Sequence, residues 1–393
     1  MPCWDDLVEL LKGHDEVLSQ AVAPQDERLR AELMRQFVMN LSQGYFLHFH
    51  ADPAYPEFVP FENSAFLLQP NPDAVYYYAR VDGRGVYRVM GERGTARVAG
   101  FATGARIIGM SETPGTGFGN YDIDSLTLDE QGRFDVIFSA ERPQGYSGDW
   151  LQLHPDSDFI LLRQFSYDWG RDQDIRLAIE RLDRPSGAPK GRPRMTPDRI
   201  ETTIADLFGY ARRLSAVGLG AVRRPFEQGF VNKMHLHDFQ DLGNSQDWPQ
   251  AYFESVFQIA DGEALILETD LPREHHYWNL QVVDGLWNQV DIPYRQSSLN
   301  GFTAQIGDDG RFHAVLSAED PGFANWLDTG GHNFGMLIGR WYRCSDHPTP
   351  SLTKVRVDRV AGLLQGKTPR MSAEQREEQV RERLIGSQMR RKW

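Results

Sequence analysis

Two stretches decide how this chain is read: "GRFDVIFSAERP" at residues 132–143 and "GRFHAVLSAEDP" at 310–321. They align without gaps, and Gly, Arg, Phe, Ser, Ala, Glu and Pro recur in place, seven identities in twelve positions. Each is followed by Trp-Leu, in "DWLQL" (149–153) and "NWLDT" (325–329). Each then leads to an apolar strand carrying an arginine and an aromatic, "LLRQF" (161–165) and "LIGRW" (337–341). A unit repeated with its sequels predicts two sandwiches of related plan. The blander alternative is one shared hairpin inside unrelated domains.

The flanking sequence supports the first reading. From about residue 72 the apolar period is two, in short segments such as "AVYYYARV", "GVYRVMG", "TARVAGFA", "ARIIGMSE", "SLTLDE" and "FILLRQFSYDW". Gly, Asp or Pro separate many of them, the rhythm of antiparallel β structure. Strands resume near 250 with "EALILETD", "HYWNLQVV" and "MLIGRWYR". Helical spacing marks residues 4–46, and Thr196-Pro197 supplies a helix cap and first turn. "SAEQREEQVRERLIGSQMRRKW" closes the chain as a charged helix whose "MRRKW" end reads as a solvated tail. The expected division is a helical segment 1–60, a first β-sandwich 61–183, a linker and helix 184–248, a second β-sandwich 249–365 and a C-terminal helix 366–393.

Composition narrows the functions. The net charge of −13 disfavours nucleic acid and anionic lipid as partners, because both need a basic surface. No window approaches the roughly 18 apolar residues of a membrane span. The start, "MPCWDDLVELLKGHDEV", is acidic where a secretory leader is basic. Cys3 and Cys344 form no metal-like pair. A soluble cytoplasmic protein with reduced thiols is expected, with homo-oligomers possible. No redox cofactor is indicated, since no dinucleotide fingerprint follows a strand.

Several separated motifs then resemble one family. "NPDAVYYYARVDGRGVYRVMGERGTAR", "HYWNLQVVDGLW", "RQSSLN" and "DPGFANWLDTGGHNFGMLIGRW" look like the bacterial domain of unknown function 1214, over about residues 70–345. The resemblance implies a jelly-roll β architecture, often in tandem, and no particular reaction. The fold class expected is thus mainly β: two jelly-roll-like antiparallel β-sandwiches with N-terminal, inter-domain and C-terminal helices.

The candidate site comes from comparing the two copies. The second alone adds Asn325, Asp328, Thr329 and His332, a polar cluster on a glycine-rich loop. Asp328 and His332 are the candidate acid–base pair, since a His–Asp pair in a partly dry cleft can move protons near neutral pH. Tyr277, Trp278, Asn279, Asn325, Trp326 and Arg340 are expected to bind substrate, Arg340 by holding a carboxylate or enolate-like oxygen. The competing reading is turn chemistry, with Asp328 as a cap and Trp326 as scaffold. The pairs His48/His50 and His235/His237 could each present two imidazoles on one strand face, but no third ligand is indicated. The expected partner is an apolar or ring-containing small molecule, processed by lyase, isomerase or hydrolase chemistry. The alternative is a non-catalytic carrier, carbohydrate-binding or shell-like subunit.

Overall fold

The computed structural model describes residues 4–9, 11–12, 14–24, 27–61, 71–113, 115–239 and 248–390. The first half holds a five-stranded sheet in the order β1 (Val59–Pro60), β2 (Ala74–Arg80), β8 (Phe159–Phe165), β4 (Val98–Gly104), β5 (Gly117–Asp122). Its partner sheet has four strands, β7 (Asp149–Gln152), β6 (Arg133–Ser139), β3 (Tyr87–Glu92), β9 (Arg176–Arg181). The second half repeats this strand for strand. Its five are β10 (His235–Asp238), β11 (Gln250–Gln258), β17 (Phe334–Cys344), β13 (His275–Asp284), β14 (Ser298–Asn300). Its four are β16 (Trp326–Asp328), β15 (Phe312–Ser317), β12 (Glu263–Thr269), β18 (Ser351–Arg356).

The duplication reaches atomic detail. In the quoted stretches, Trp150 lies opposite Ile137 and Trp326 opposite Val315, the same column of the repeat. Ser139 Oγ accepts from Trp150 Nε1 (2.9 Å) and donates to Glu141 O (2.7 Å). Ser317 Oγ does both again, at 3.1 Å from Trp326 Nε1 and 2.7 Å from Glu319 O. The proline turn and Trp-Leu are therefore scaffold that closes one end of each sandwich.

Three apolar layers follow from which face each strand turns. Phe101, Phe134, Phe138 and Leu162 fill the first sandwich, and Phe253, Leu280, Leu316 and Trp341 fill the second. The outward faces of the two five-stranded sheets are apolar too. They meet in a third layer containing Phe165, Tyr252, Tyr277 and Tyr342, covered by helix residues Tyr210, Leu214 and Val222. Strands buried on both faces lose their alternation, and β13 is buried from Tyr277 to Asp284. The two halves are related by an approximate two-fold axis. Its signature is a reciprocal contact between repeat-equivalent residues: Arg97 Nε donates to His276 O (2.8 Å), and His276 Nε2 lies 2.7 Å from Arg97 O.

The helices are α1 (Trp4–Glu9), α2 (His14–Leu18), α3 (Glu27–Tyr45), α4 (Pro197–Glu227), α5 (Val357–Leu364) and α6 (Ala373–Met389). Thr196 Oγ1 caps α4, accepting from Arg199 N (3.3 Å), and Ser372 with Gln375 forms a capping box on α6. No helix among the described residues is long and apolar enough to cross a membrane.

Three sequence expectations are corrected. "ARIIGMSE" is a loop, because its backbone is drawn onto α4: Arg106 has a φ of 52° and Arg213 Nε donates to Gly109 O (2.7 Å). "SLTLDE" is not a strand either; it leaves the sheet through a short 3-10 turn at Ile123–Ser125 capped by Asp122. The end of α6 is no solvated tail at Arg390, which is 5% exposed and bonded to Asp174 (2.9 Å) and Asp73 O (2.7 Å). Residues 391–393 lie outside the described residues, as do Cys3 and residues 62–70.

Candidate functional site

A chamber of about 490 Å³ lies in the layer between the two sandwiches, roofed by α4. That is a usual size for a small-molecule site. Phe61, Tyr76, Phe159, Phe165, Phe239, Tyr252 and Trp287 give it aromatic walls, and Val217, Ala221 and Pro225 come from α4. Its charged lining is Arg106, Arg163, Arg224, Arg340 and Glu254.

The repeat explains the two arginines that stand on its strands, Arg340 buried and Arg163 partly buried. Arg163 on β8 stands opposite Tyr76, and Arg340 on β17 stands opposite Tyr252, the equivalent positions of the two halves. Across the next strand the halves diverge. Arg340 faces Asn279 and its Nη1 donates to Asn279 Oδ1 (3.3 Å) and Gln281 Oε1 (3.2 Å). Its guanidinium carbon lies 5.2 Å from the Tyr252 ring centroid. Arg163 instead faces Gly100, with Ala102 where the other half has Gln281. Trp248 packs against Gly100 so closely that a Cβ there would stand 2.8 Å from the indole. Arg163 is held by rings alone, 4.5 Å from Trp248 and 5.2 Å from Phe239. Its Nη1 is buried without a hydrogen-bond partner.

A second divergence places an acid in the chamber. The first half has the aromatic pair Phe61 and Tyr78, with ring centroids 6.0 Å apart. At the matching columns the second half has His237 and Glu254, with Nε2 to Oε1 at 3.0 Å. Glu254 is the one carboxylate of the lining among the described residues, and His237 stands behind it, stacked on Tyr252 at 5.4 Å. Burial pushes the Tyr252 hydroxyl pKa up, so that group stays protonated.

Trp287 completes the lining. It adopts a φ of 70°, a costly backbone for a bulky residue, and its Nε1 is buried without a partner. The strain is held by buried Asp284, whose carboxylate accepts from Leu286 N (2.9 Å), Asn288 N (2.8 Å) and Asn288 Nδ2 (3.0 Å).

Of the eight residues singled out from sequence, Arg340 lines this chamber and Asn279 holds it. Tyr277 lies in the same layer, but its hydroxyl is spent on Asp73 (2.7 Å) and Asn71 (3.2 Å). Trp278 points the other way, into the second sandwich, 5.0 Å from the Phe312 ring. Asn325 ties loops together, accepting from Gln305 N (2.8 Å) and donating to Gln305 O (2.6 Å) and His313 O (2.8 Å). Trp326 is the scaffold tryptophan described above.

Asp328 and His332 do not share a cleft. Asp328 Oδ1 accepts from Gly330 N (2.7 Å) and Oδ2 from Arg295 Nη1 (2.9 Å), so its oxygens serve a turn and an ion pair. His332 instead borders a separate groove with Arg28, Glu32 and Asp284. Burial lowers its imidazole pKa, and Asp284 is the acid that most opposes the shift. We expect Asp328→Ala to cost about 1–2 kcal/mol through the lost turn bond, the half-exposed Arg295 pair adding little. Neither it nor His332→Ala should change ligand affinity in the chamber; thermal unfolding and titration calorimetry read the two effects separately.

The histidine pairs also separate. His48 and His50 lie on a π-helical turn, Phe46–His50, while His235 and His237 share a face of β10 with rings 5.4 Å apart. No group of three or more metal-type ligands gathers among the described residues. Arg163 and Glu254 were missed because each reads as an isolated charge in an apolar strand. A partial signal was present: each keeps the period-two column of its apolar neighbours, Leu161 and Phe165 for one, Tyr252 and Val256 for the other, which says that they share a face but not what that face meets.

Residues 105–166 and 260–346, one segment in each sandwich, match the family model described as "Protein of unknown function (DUF1214)". The fold is similar to the crystal structure of an uncharacterized protein from Burkholderia cenocepacia. That protein is 27% identical, with 91% of this chain and 97% of the other covered at a TM-score of 0.82. The VPA0106 protein from Vibrio parahaemolyticus is more distant, at 12% identity over 81% of this chain and 97% of its own, with a TM-score of 0.44. No curated protein matches this chain.

Proposed function

We propose that this chain, which belongs to the DUF1214 family through both of its sandwiches, binds a small apolar or ring-containing compound in the inter-sandwich chamber and moves a proton on it. The observation that carries the reading is Glu254: a carboxylate in an aromatic-walled chamber, bonded to His237 at 3.0 Å. Such a pair accepts a proton from a bound carbon or oxygen acid and shares the charge with its imidazole partner. Arginine cations lining the chamber stabilise negative charge as it develops on the bound compound. Lyase, isomerase and hydrolase reactions all contain that step. A cytoplasmic location is the reading that the acidic, cysteine-poor composition supports.

The second reading is a non-catalytic carrier. It is favoured by the lining itself, in which, among the described residues, arginines, which bind but do not exchange protons near neutral pH, outnumber the acids. A library of small aryl compounds incubated with the protein and with Glu254→Gln separates the two. The enzymatic reading expects at least one compound to be converted by the native protein, and to be bound but converted at least ~100-fold more slowly by the variant. Compounds that bind and return unchanged from both proteins would establish the carrier.

A further inference from the structure

Among the described residues, the chamber lining holds one arginine nitrogen that is buried without a hydrogen-bond partner, Arg163 Nη1, and the repeat shows what it lacks. Arg340 has Asn279 and Gln281 to hold it; its counterpart Arg163 has Gly100 and Ala102. Among the described residues Arg163 makes no hydrogen bond or ion pair, and its Nη1 is shielded from solvent. A buried charged donor left unsatisfied costs free energy, and native structures keep few of them outside sites of function. The Trp248 and Phe239 faces hold the guanidinium at 4.5 and 5.2 Å without using any of its N–H groups. Trp287 Nε1, also buried and unpartnered, adds a neutral donor to the same lining.

From this geometry we infer that the compound bound in the chamber is an aromatic carboxylate, its carboxylate on Arg163 and its ring among the aromatic walls. The inference rests on the chamber being the ligand site and names the class of ligand it takes. A carboxylate matches the planar fork of a guanidinium with two parallel hydrogen bonds, which a neutral amide of the same shape cannot reproduce. Glu254 is the one acid of the lining among the described residues and is bonded to His237, so it leaves the Arg163 fork open. Arg340 is the lesser anchor because its Nη1 is already shared between two side-chain oxygens.

The probes are 2-naphthoate and 2-naphthamide, nearly identical in shape and differing in charge, titrated by calorimetry at neutral pH. The native protein should prefer naphthoate by roughly 10- to 150-fold, the span of a charge-assisted hydrogen bond. Arg163→Met should bring the ratio to about one, and Arg163→Lys should leave it between. Ala102→Gln copies the residue that satisfies Arg340 in the other half; it should reduce the ratio, whereas Ala102→Met, of similar bulk but without an acceptor, should preserve it. Circular dichroism and the unfolding midpoint confirm that each variant folds. A ratio near one in the native protein, or a preference that survives Arg163→Met, overturns the inference while leaving the chamber as the ligand site. If neither probe binds, the reading of the chamber fails and the inference with it.

Discussion

Asp73→Ala is expected to destabilise the protein by about 3–5 kcal/mol, the cost of breaking a buried, hydrogen-bonded carboxylate out of its network. Asp73 is 2% exposed and joins parts far apart in sequence. Its Oδ1 accepts from Trp169 Nε1 (2.8 Å) and Asn300 Nδ2 (2.9 Å), and its Oδ2 accepts from the Tyr277 hydroxyl (2.7 Å). Its carbonyl accepts from Arg390 Nη1 at the end of α6 (2.7 Å). The first sandwich, the second sandwich and the last helix therefore converge on one residue. Alanine takes an acceptor from three donors and strands Trp169 Nε1 entirely, an unsatisfied buried donor costing about 1–3 kcal/mol before relaxation. Asp73→Asn keeps one oxygen acceptor and should lose less.

The same residue predicts a pH dependence. Burial raises the Asp73 pKa above its ordinary 3.8, against the opposing effect of its hydrogen-bond donors. The folded state thus holds the proton more tightly than the unfolded chain does. The penalty for ionising Asp73 is absent below the unfolded value and grows as pH rises through the folded one. The stability of the native protein relative to Asp73→Asn should fall across that window, measured by denaturant unfolding at stepped pH.

Gly339→Ala is expected to cost about 3 kcal/mol through overpacking, for the loss of no interaction at all. A Cβ on Gly339 would stand 2.0 Å from Phe253 Cζ and 2.1 Å from its Cε2. Phe253 cannot retreat: it is 2% exposed, pairs with Gly339 across β11 and β17, and packs 4.8 Å from the Trp341 ring. The first half has Leu162 opposite Tyr77 at the equivalent position, so this close fit is particular to the second half. A large residue on one strand is compensated by a small one on its neighbour. Gly339→Ala combined with Phe253→Leu should therefore recover part of the loss, a coupling that a double-mutant cycle measures.

The sandwiches were legible in the sequence because each core strand keeps a period of two and the repeated hairpin carries its own register. Segments pulled out of that rhythm by tertiary contacts were not legible. "ARIIGMSE" has the composition of a strand, yet Ile107 is buried in the layer beneath α4 and the chain turns to put it there. The site was harder still. The polar residues gathered on one glycine-rich loop, Asn325 and Asp328 among them, proved to be bonded within the scaffold. The ionisable groups acquired by the second half stand instead at Glu254 and His237, where the first half keeps Tyr78 and Phe61. Finding them requires knowing that the outward faces of two sheets meet, and no local pattern encodes that. The arginine that recurs in the same strand of both copies was visible in the sequence; it led to Arg340 but, with its face unknown, not to Arg163.

The most direct measurement of the central claim, that ligand sits between the sandwiches, is a crystal structure of the protein grown with 2-naphthoate. The account predicts the naphthalene ring between β8 and β17 under α4, with the carboxylate in hydrogen-bond contact with Arg163. Naphthoate bound beside His332 in the outer groove, with the central chamber holding no ligand, would contradict it.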